Sequence, residues 1–134
     1  MNGADQAASE ACFVRFVADG VRYVAPLDDV QHAQATLPEN MPIVRLDAHR
    51  GMCEATENTL CYLVLGRQEA PLALAVEEVC DVVTITSALL RPLPERAVSS
   101  GNAYVAQVVC QGDGLFDYVL DMDRLRSQLG GEAL

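Results

Sequence analysis

The side chains that could carry out chemistry are few in this chain and lie far apart. Histidine is the one side-chain type that titrates near neutral pH without help, and the chain has two, His32 and His49. A metal pair formed with Asp28, Asp29 or Asp47 is conceivable. Two solvated loop histidines are the simpler interpretation, and we expect no metal site.

The cysteines do not form a ligand or redox motif. Their number is odd and no Cys-x-x-Cys pair occurs, which excludes zinc-ribbon, thioredoxin and iron–sulfur signatures. Four lie in apolar runs and are predicted to be small buried hydrophobic residues: Cys12, Cys61, Cys80 and Cys110. Cys53 stands in a polar stretch and is expected to be exposed.

No catalytic constellation is assembled either. The patterns Gly-x-Ser-x-Gly, His-Glu-x-x-His and the phosphate-binding loop are all absent. Asp121 and Asp123 stand two apart at a predicted helix start, where side chains do not face one another, so capping explains Asp121 better than acid–base work. The sequence therefore favours a binding or scaffold domain without cofactor over an enzyme.

The length and charge exclude further classes. A chain of 134 residues is one ordinary domain, and its net charge of −10 would repel a phosphate backbone, so nucleic-acid binding is not expected. No stretch approaches the roughly 20 apolar residues of a membrane span. The first ten residues lack the basic and apolar regions of a secretory signal, which favours the cytoplasm.

The elements that must position any site are short strands. Two clear hairpins are predicted, one from residues 12–17 and 21–24 around Asp19-Gly20, and one from residues 103–111 and 115–120. Residues 47–58 are predicted to be a loop, and residues 89–96 an irregular connection. The remaining elements are strands at 42–46, 59–65, 71–76 and 79–85 and a helix at 122–129. This pattern predicts an all-β fold, either antiparallel barrels or a sandwich.

Six sequence motifs occur in an order that is similar to one known family. The Pro-Ile-Val-Arg-Leu run at 42–46 resembles a Pro-Val-Val-Asp-Leu strand of that family, and residues 90–94 resemble its Ile-Arg-Pro-x-Pro. The other matching segments are residues 13–24, 27–31, 72–83 and 120–125. From about residue 12 to residue 129 the chain thus resembles CheW, the coupling protein of bacterial chemotaxis arrays.

The resemblance implies two small SH3-like β-barrel subdomains and a C-terminal helix. It places a single intertwined domain at 12–129, between a flexible leader at 1–11 and a tail at 130–134. The family normally carries a longer segment, with an Asn-Leu-Arg-Gly turn, where this chain has only residues 32–41. The first barrel is therefore expected to be incomplete and to leave open strand edges at 13–17 and 42–46, which would allow self-association.

By resemblance the function is that of an adaptor. Family members bind the regulatory domain of the CheA histidine kinase and the cytoplasmic tip of chemoreceptors. The matching partner-binding positions here are Val30, His32, Leu60 and Val82. A diverged module that binds another signalling or localisation partner is the alternative, and a small-ligand or enzymatic barrel is the third interpretation.

Overall fold

The computed structural model describes residues 9–47, 51–54, 61–66, 71–93, 104–110 and 116–125. Within these segments the chain forms eleven strands and two short 3₁₀ turns, and residues 122–125 are helical. The strands are β1 Glu10–Ala18, β2 Val21–Pro26, β3 Val30–Gln34, β4 Ile43–Asp47, β5 Gly51–Glu54, β6 Cys61–Leu65, β7 Leu72–Val76, β8 Glu78–Thr86, β9 Leu90–Pro92, β10 Val105–Cys110 and β11 Phe116–Leu120.

The strands form two sheets whose segments are intertwined along the chain. One sheet has six strands in the order β8-β1-β2-β11-β10-β9, and the other has five in the order β3-β6-β7-β4-β5. The N-terminal hairpin therefore joins the C-terminal strands, through parallel pairing of β2 with β11, while the middle of the chain forms the second sheet. The predicted all-β fold is confirmed.

The first hairpin is determined by its turn residues. Asp19 and Gly20 both have positive φ, 52° and 75°, as the tight turns that match the twist of a hairpin require. The Gly20 N–H also donates a hydrogen bond of 2.7 Å to Oε1 of Glu77, which ties the turn to the start of β8. A side chain at position 20 would find open space, so backbone strain and not crowding favours glycine there.

Two strands form where the sequence predicted irregular chain. β5 lies inside the predicted loop at 47–58 and pairs with β4, and β9 lies inside the predicted connection at 89–96 and pairs with β10. Both are short and lack a hydrophobic alternation of their own. Their strand conformation comes from the partner strand, which supplies the hydrogen bonds.

The prediction of open strand edges at 13–17 and 42–46 is wrong. β1 pairs with β2 on one side and β8 on the other, and β4 lies between β7 and β5. Among the described strands the outer ones are β8 and β9 in one sheet and β3 and β5 in the other. Any pairing with a second chain would therefore involve these strands instead.

The ends of the chain are described only in part. β1 begins at Glu10, two residues before the predicted strand start, and the helical residues 122–125 lie within the predicted helix at 122–129. Residues 1–8 of the predicted leader and the predicted tail at 130–134 lie outside the described residues.

Buried side chains fall into two clusters. The larger joins the two sheets, with Phe16 and Tyr23 from one sheet and Leu63 and Leu74 from the other. The smaller lies on the opposite face of the six-stranded sheet and contains Phe13, Val24, Ile85, Val109 and Val119. Strand alternation produces this division, since Val14 and Phe16 of β1 belong to the larger cluster and Phe13 to the smaller.

β7 at the centre of the five-stranded sheet has five consecutive buried residues, which fits its unbroken apolar sequence. β6 beside it is buried from Tyr62 to Leu65. No helix in the described part of the chain is long and apolar enough to cross a membrane.

Candidate functional site

Val82 lies on the outer strand β8 and is the most exposed large hydrophobic side chain among the described residues of that sheet. It pairs with Val14 of β1, and the two side chains share one face, yet Val82 is 57% exposed and Val14 is 5% exposed. Val82 stands where the larger core ends, and no described strand lies beyond β8 to cover it.

Val30 and His32 lie on β3, the outer strand of the other sheet. Val30 is half-buried against the larger core, and His32 is exposed, with its Nε2 2.6 Å from Oε1 of Gln34. Leu60 lies outside the described residues. The three described positions thus lie on two outer strands, Val82 on β8 and Val30 and His32 on β3.

An ion-pair cluster around one buried carboxylate lies on the face of the six-stranded sheet that carries the smaller apolar cluster. Asp117 of β11 is completely buried, and its Oδ2 accepts hydrogen bonds from Nε and Nη2 of Arg15 at 3.2 and 3.1 Å. Its Oδ1 accepts from Nε of Arg22. Nη1 of Arg15 also lies 3.7 Å from Oδ1 of Asp81. Both oxygens of the buried carboxylate are satisfied, which is the condition under which a charge tolerates burial.

The cluster joins strands that are distant in sequence. Arg15 is on β1, Arg22 on β2, Asp81 on β8 and Asp117 on β11, so four of the six strands meet there. By strand alternation these side chains point to the same face as the smaller apolar cluster. Both oxygens of the Asp117 carboxylate already accept hydrogen bonds from arginines, so the cluster holds the strands together and is not a ligand site. We call Arg15, Arg22 and Asp117 the buried clamp.

A pocket of about 420 Å³ opens at the other end of this face. The strand register pairs Phe13 with Pro26, Arg15 with Val24 and Val17 with Arg22, so the pocket lies at the Phe13 end and Arg22 at the opposite end. The described residues that line the pocket include apolar side chains, among them Phe13, Pro26 and Met122, and three carboxylates: Asp29, Asp121 and Asp123.

Asp121, which lines the pocket, also caps the terminal helix. Its Oδ1 accepts a 3.1 Å hydrogen bond from the backbone N–H of Arg124, which confirms the predicted cap of the terminal helix. Its Oδ2 is 3.9 Å from Nε of Arg124. The described residues that line the pocket thus include three carboxylates and no basic side chain, and Arg124 lies beside one of these carboxylates.

The order and pairing of the strands can now be compared with known proteins. The sequence model of the CheW-like domain matches residues 38–129, more than half of the chain. The chain belongs to the CheW-like domain family. Among solved structures, the scaffolding protein TtCheW from Thermoanaerobacter tengcongensis matches with a TM-score of 0.63 and 16% sequence identity, over 84% of this chain and 90% of that one. A comparison with curated proteins found no match.

The two sheets correspond to the two SH3-like β-barrel subdomains of the CheW-like family, as the resemblance implied. In this CheW-like chain the connection from β3 to β4 is short, since only residues 35–42 separate the two strands. The five-stranded sheet is nevertheless continuous from β3 to β5, because residues 51–54 supply its last strand.

Sequence reasoning missed the ion-pair cluster and the pocket. The available signal was a charged residue at an inward position of an apolar strand, as Arg15 stands between Phe13 and Val17, and Asp117 two residues before Val119. The partners could not be paired from sequence, since Arg15 and Asp117 are 102 residues apart. Among the described residues no group of three or more His, Cys, Asp and Glu side chains could hold a metal ion.

The cysteine prediction is wrong for three of the four residues predicted to be buried. Cys12, Cys80 and Cys110 are exposed and Cys61 is half-buried. Cys12 shares a face of β1 with Val14 and Phe16 but lies toward the exposed end of that strand. The side chain of Cys53 lies outside the described residues.

We expect the Cys80 thiol to react slowly for an exposed cysteine. Partial burial raises its pKa, as do the Glu78 carboxylate, whose Oε2 lies 3.7 Å from the sulfur, and the Asp81 carboxylate. A raised pKa leaves less thiolate at a given pH, and thiolate is the reactive form. In a variant with Cys80 as its only cysteine, the disulfide-exchange labelling rate should reach half its maximum at a higher pH than in the unfolded variant.

Glu78→Gln in the same single-cysteine background is the matched control. Removing this carboxylate should shift the labelling profile of Cys80 to lower pH. Identical profiles for the folded and unfolded forms would contradict the prediction.

Proposed function

We propose that the protein is a non-enzymatic adaptor in chemotaxis-type signal transduction, which joins the cytoplasmic tip of a chemoreceptor to the regulatory domain of a CheA-type histidine kinase. The observation that carries the proposal is the CheW-like family match, and the structural similarity to the scaffolding protein TtCheW supports it. Such a function places the protein in the cytoplasm, at membrane-bound receptor arrays, and requires no cofactor.

The exposed outer strands support an association function. Val82 on β8 and His32 on β3 present side chains to solvent at strands whose second edge is unpaired within the described residues. Outer strands with exposed apolar side chains can bind a partner by packing or by strand addition. We propose Val30, His32, Leu60 and Val82 as partner-binding residues.

Binding to purified partners tests this function. The protein, immobilised at one end, is incubated with the regulatory domain of a CheA-type kinase, with a receptor-tip fragment, or with both. We expect the protein to retain both fragments. The receptor-tip fragment should still bind when the kinase domain is present at a saturating concentration. Failure to retain either fragment would refute the coupling function.

The short β3–β4 connection favours one alternative, a diverged CheW-like module with a different signalling or localisation partner. The same experiment separates the two. Retention of neither fragment, together with recovery of a different signalling protein from native lysate by the wild type and not by Val82→Asp, would favour the diverged module.

Self-association through an open edge remains part of the proposal, now through β3. This strand carries no charged residue between Val30 and Gln34, while β8 carries Glu78 and Asp81. Charges on an outer strand oppose pairing with a second chain, and β3 lacks that protection. Light scattering over a range of concentrations tests it, and a constant monomer mass would exclude this mode.

A further inference from the structure

The outer strand β3 has an irregularity at Gln31, between two of the proposed partner-binding residues. Val30 pairs with Leu65 of β6. His32, two residues later, pairs with Val64, which is the immediate neighbour of Leu65. β3 therefore has one more residue than β6 in this stretch, which is the definition of a β-bulge, and Gln31 is the extra residue.

The bulge determines the direction in which His32 points. In a regular strand, residues two apart share one face of the sheet, so Val30 and His32 would face the same side. Leu65 and Val64 are consecutive on β6 and face opposite sides, and directly paired residues share a side. Val30 therefore lies on the side of Leu65, where it packs against the larger core, and His32 lies on the other side. Oε1 of Gln34, two residues further along β3, is 2.6 Å from Nε2 of His32, which agrees with this direction.

Two hydrogen bonds at Gly66, the residue that follows β6, hold this part of β3. The Gly66 N–H donates to the carbonyl oxygen of Asp29 at 2.7 Å, and the Gly66 carbonyl oxygen accepts from Nε2 of Gln31 at 2.8 Å. Gly66 is buried and has a φ of 95°, a conformation that favours glycine. The side chain of the extra residue is thus attached to a fixed point at the end of the neighbouring strand.

We propose that Gln31 is a positioning residue for β3: its side-chain amide holds the bulge that turns His32 away from the side of Val30. The extra residue of a bulge disrupts the backbone ladder, and the Gln31 amide supplies a hydrogen bond between β3 and the end of β6 at that point. Its importance for a partner rests on the proposed adaptor function, whereas the positioning itself can be tested in the free protein.

Nuclear Overhauser contacts between the backbones of His32 and Val64, recorded on the isotope-labelled full chain, report the register of β3. Gln31→Met removes the donor with little change of length. Gln31→Glu keeps the shape but places an oxygen against the Gly66 carbonyl oxygen. Each should reduce these contacts by at least about half, because a cross-strand hydrogen bond is lost. Gln31→Lys, which restores a donor, should keep them.

The three variants together identify the cause. Gln31 is exposed, so none of them creates a buried cavity, and their thermal melts should remain close to wild type. Contacts equal to wild type in Gln31→Met would overturn the proposal. A loss in Gln31→Glu alone would assign the effect to charge, and an equal loss in Gln31→Lys would show that the donor is not the cause; both results also overturn it.

Binding of the kinase regulatory domain and of the receptor-tip fragment measures the consequence for a partner. Gln31→Met should weaken binding of at least one fragment by about fivefold, the effect of one lost hydrogen bond. His32→Ala should weaken the same binding in the wild type and add little in Gln31→Met, since residues that act together are not additive. Weaker binding of Gln31→Met with wild-type contacts between His32 and Val64 would make Gln31 itself a contact and overturn the positioning.

The two proposals can fail separately. Contacts between His32 and Val64 that depend on the Gln31 donor, in a protein that retains neither fragment, would refute the coupling function and support the positioning. Retention of both fragments, with these contacts and the binding unchanged in Gln31→Met, would do the reverse.

Discussion

Asp117→Ala should lower the free energy of unfolding by about 3–5 kcal/mol, because it leaves two arginines at a buried position without their carboxylate. Asp117 is completely buried, while Arg15 and Arg22 are largely covered, with side-chain exposures of 21% and 26%. Since domains are stable by only about 5–15 kcal/mol, the variant should lose a large share of its stability. Urea unfolding of the variant beside the wild type measures the loss.

Two matched variants separate the buried clamp from ordinary ion pairing. Asp81→Ala removes a carboxylate that is 58% exposed and 3.7 Å from Arg15, and it should cost less than about 1 kcal/mol. Replacing the whole clamp, with Arg15→Met, Arg22→Met and Asp117→Leu together, should recover most of the stability that Asp117→Ala loses. Equal losses for Asp81→Ala and Asp117→Ala would contradict the prediction.

Val82→Asp should weaken binding of the CheA-type regulatory domain at least about thirtyfold, the effect of losing an interface hot spot of about 2 kcal/mol. The proposed adaptor function supplies this partner. Because Val82 is 57% exposed, the substitution buries no charge in the free protein, and unfolding should change by less than about 1 kcal/mol. Binding titrations and thermal melts of the same preparation provide the two measurements.

Two further substitutions control for charge and for burial. Phe116→Asp introduces the same charge at a side chain of similar exposure, 54%, on β11, and it should leave partner binding close to wild type. Ile85→Asp, on the same strand as Val82 but only 4% exposed, should prevent stable folding. A melt of Val82→Asp as low as that of Ile85→Asp, or equal binding loss for Phe116→Asp, would exclude Val82 as a specific contact.

Local signals predicted the strands that carry the fold. The Asp19-Gly20 turn was predictable because two consecutive positive φ angles strongly favour these residue types. β7 was predictable because a strand buried on both faces needs an unbroken apolar run. β5 and β9 were not, since each is held by a neighbouring strand distant from any local pattern.

The sequence allowed individual residues of the candidate site to be predicted, but not how they are arranged. The resemblance selected Val82 and His32, and the structure shows that both are exposed, but the side of a strand that faces solvent depends on which strand lies beside it. The cysteines show the same limit. Cys12 and Cys80 stand in apolar runs, but both are exposed, because the core does not extend to their positions on β1 and on the outer strand β8.

The sequence alone determined the all-β class, the two hairpins, the CheW-like resemblance and the cap of the terminal helix, because turn chemistry, alternation and motif order are local properties. The tertiary structure alone decided which strands are outer strands, since β1 and β4 each gain a second partner from a distant segment. It also placed Arg15, Arg22 and Asp117 in one buried clamp and three aspartates around one pocket. These arrangements depend on contacts between residues up to about a hundred positions apart in the chain. The free energy of such contacts cannot be predicted from a local sequence pattern.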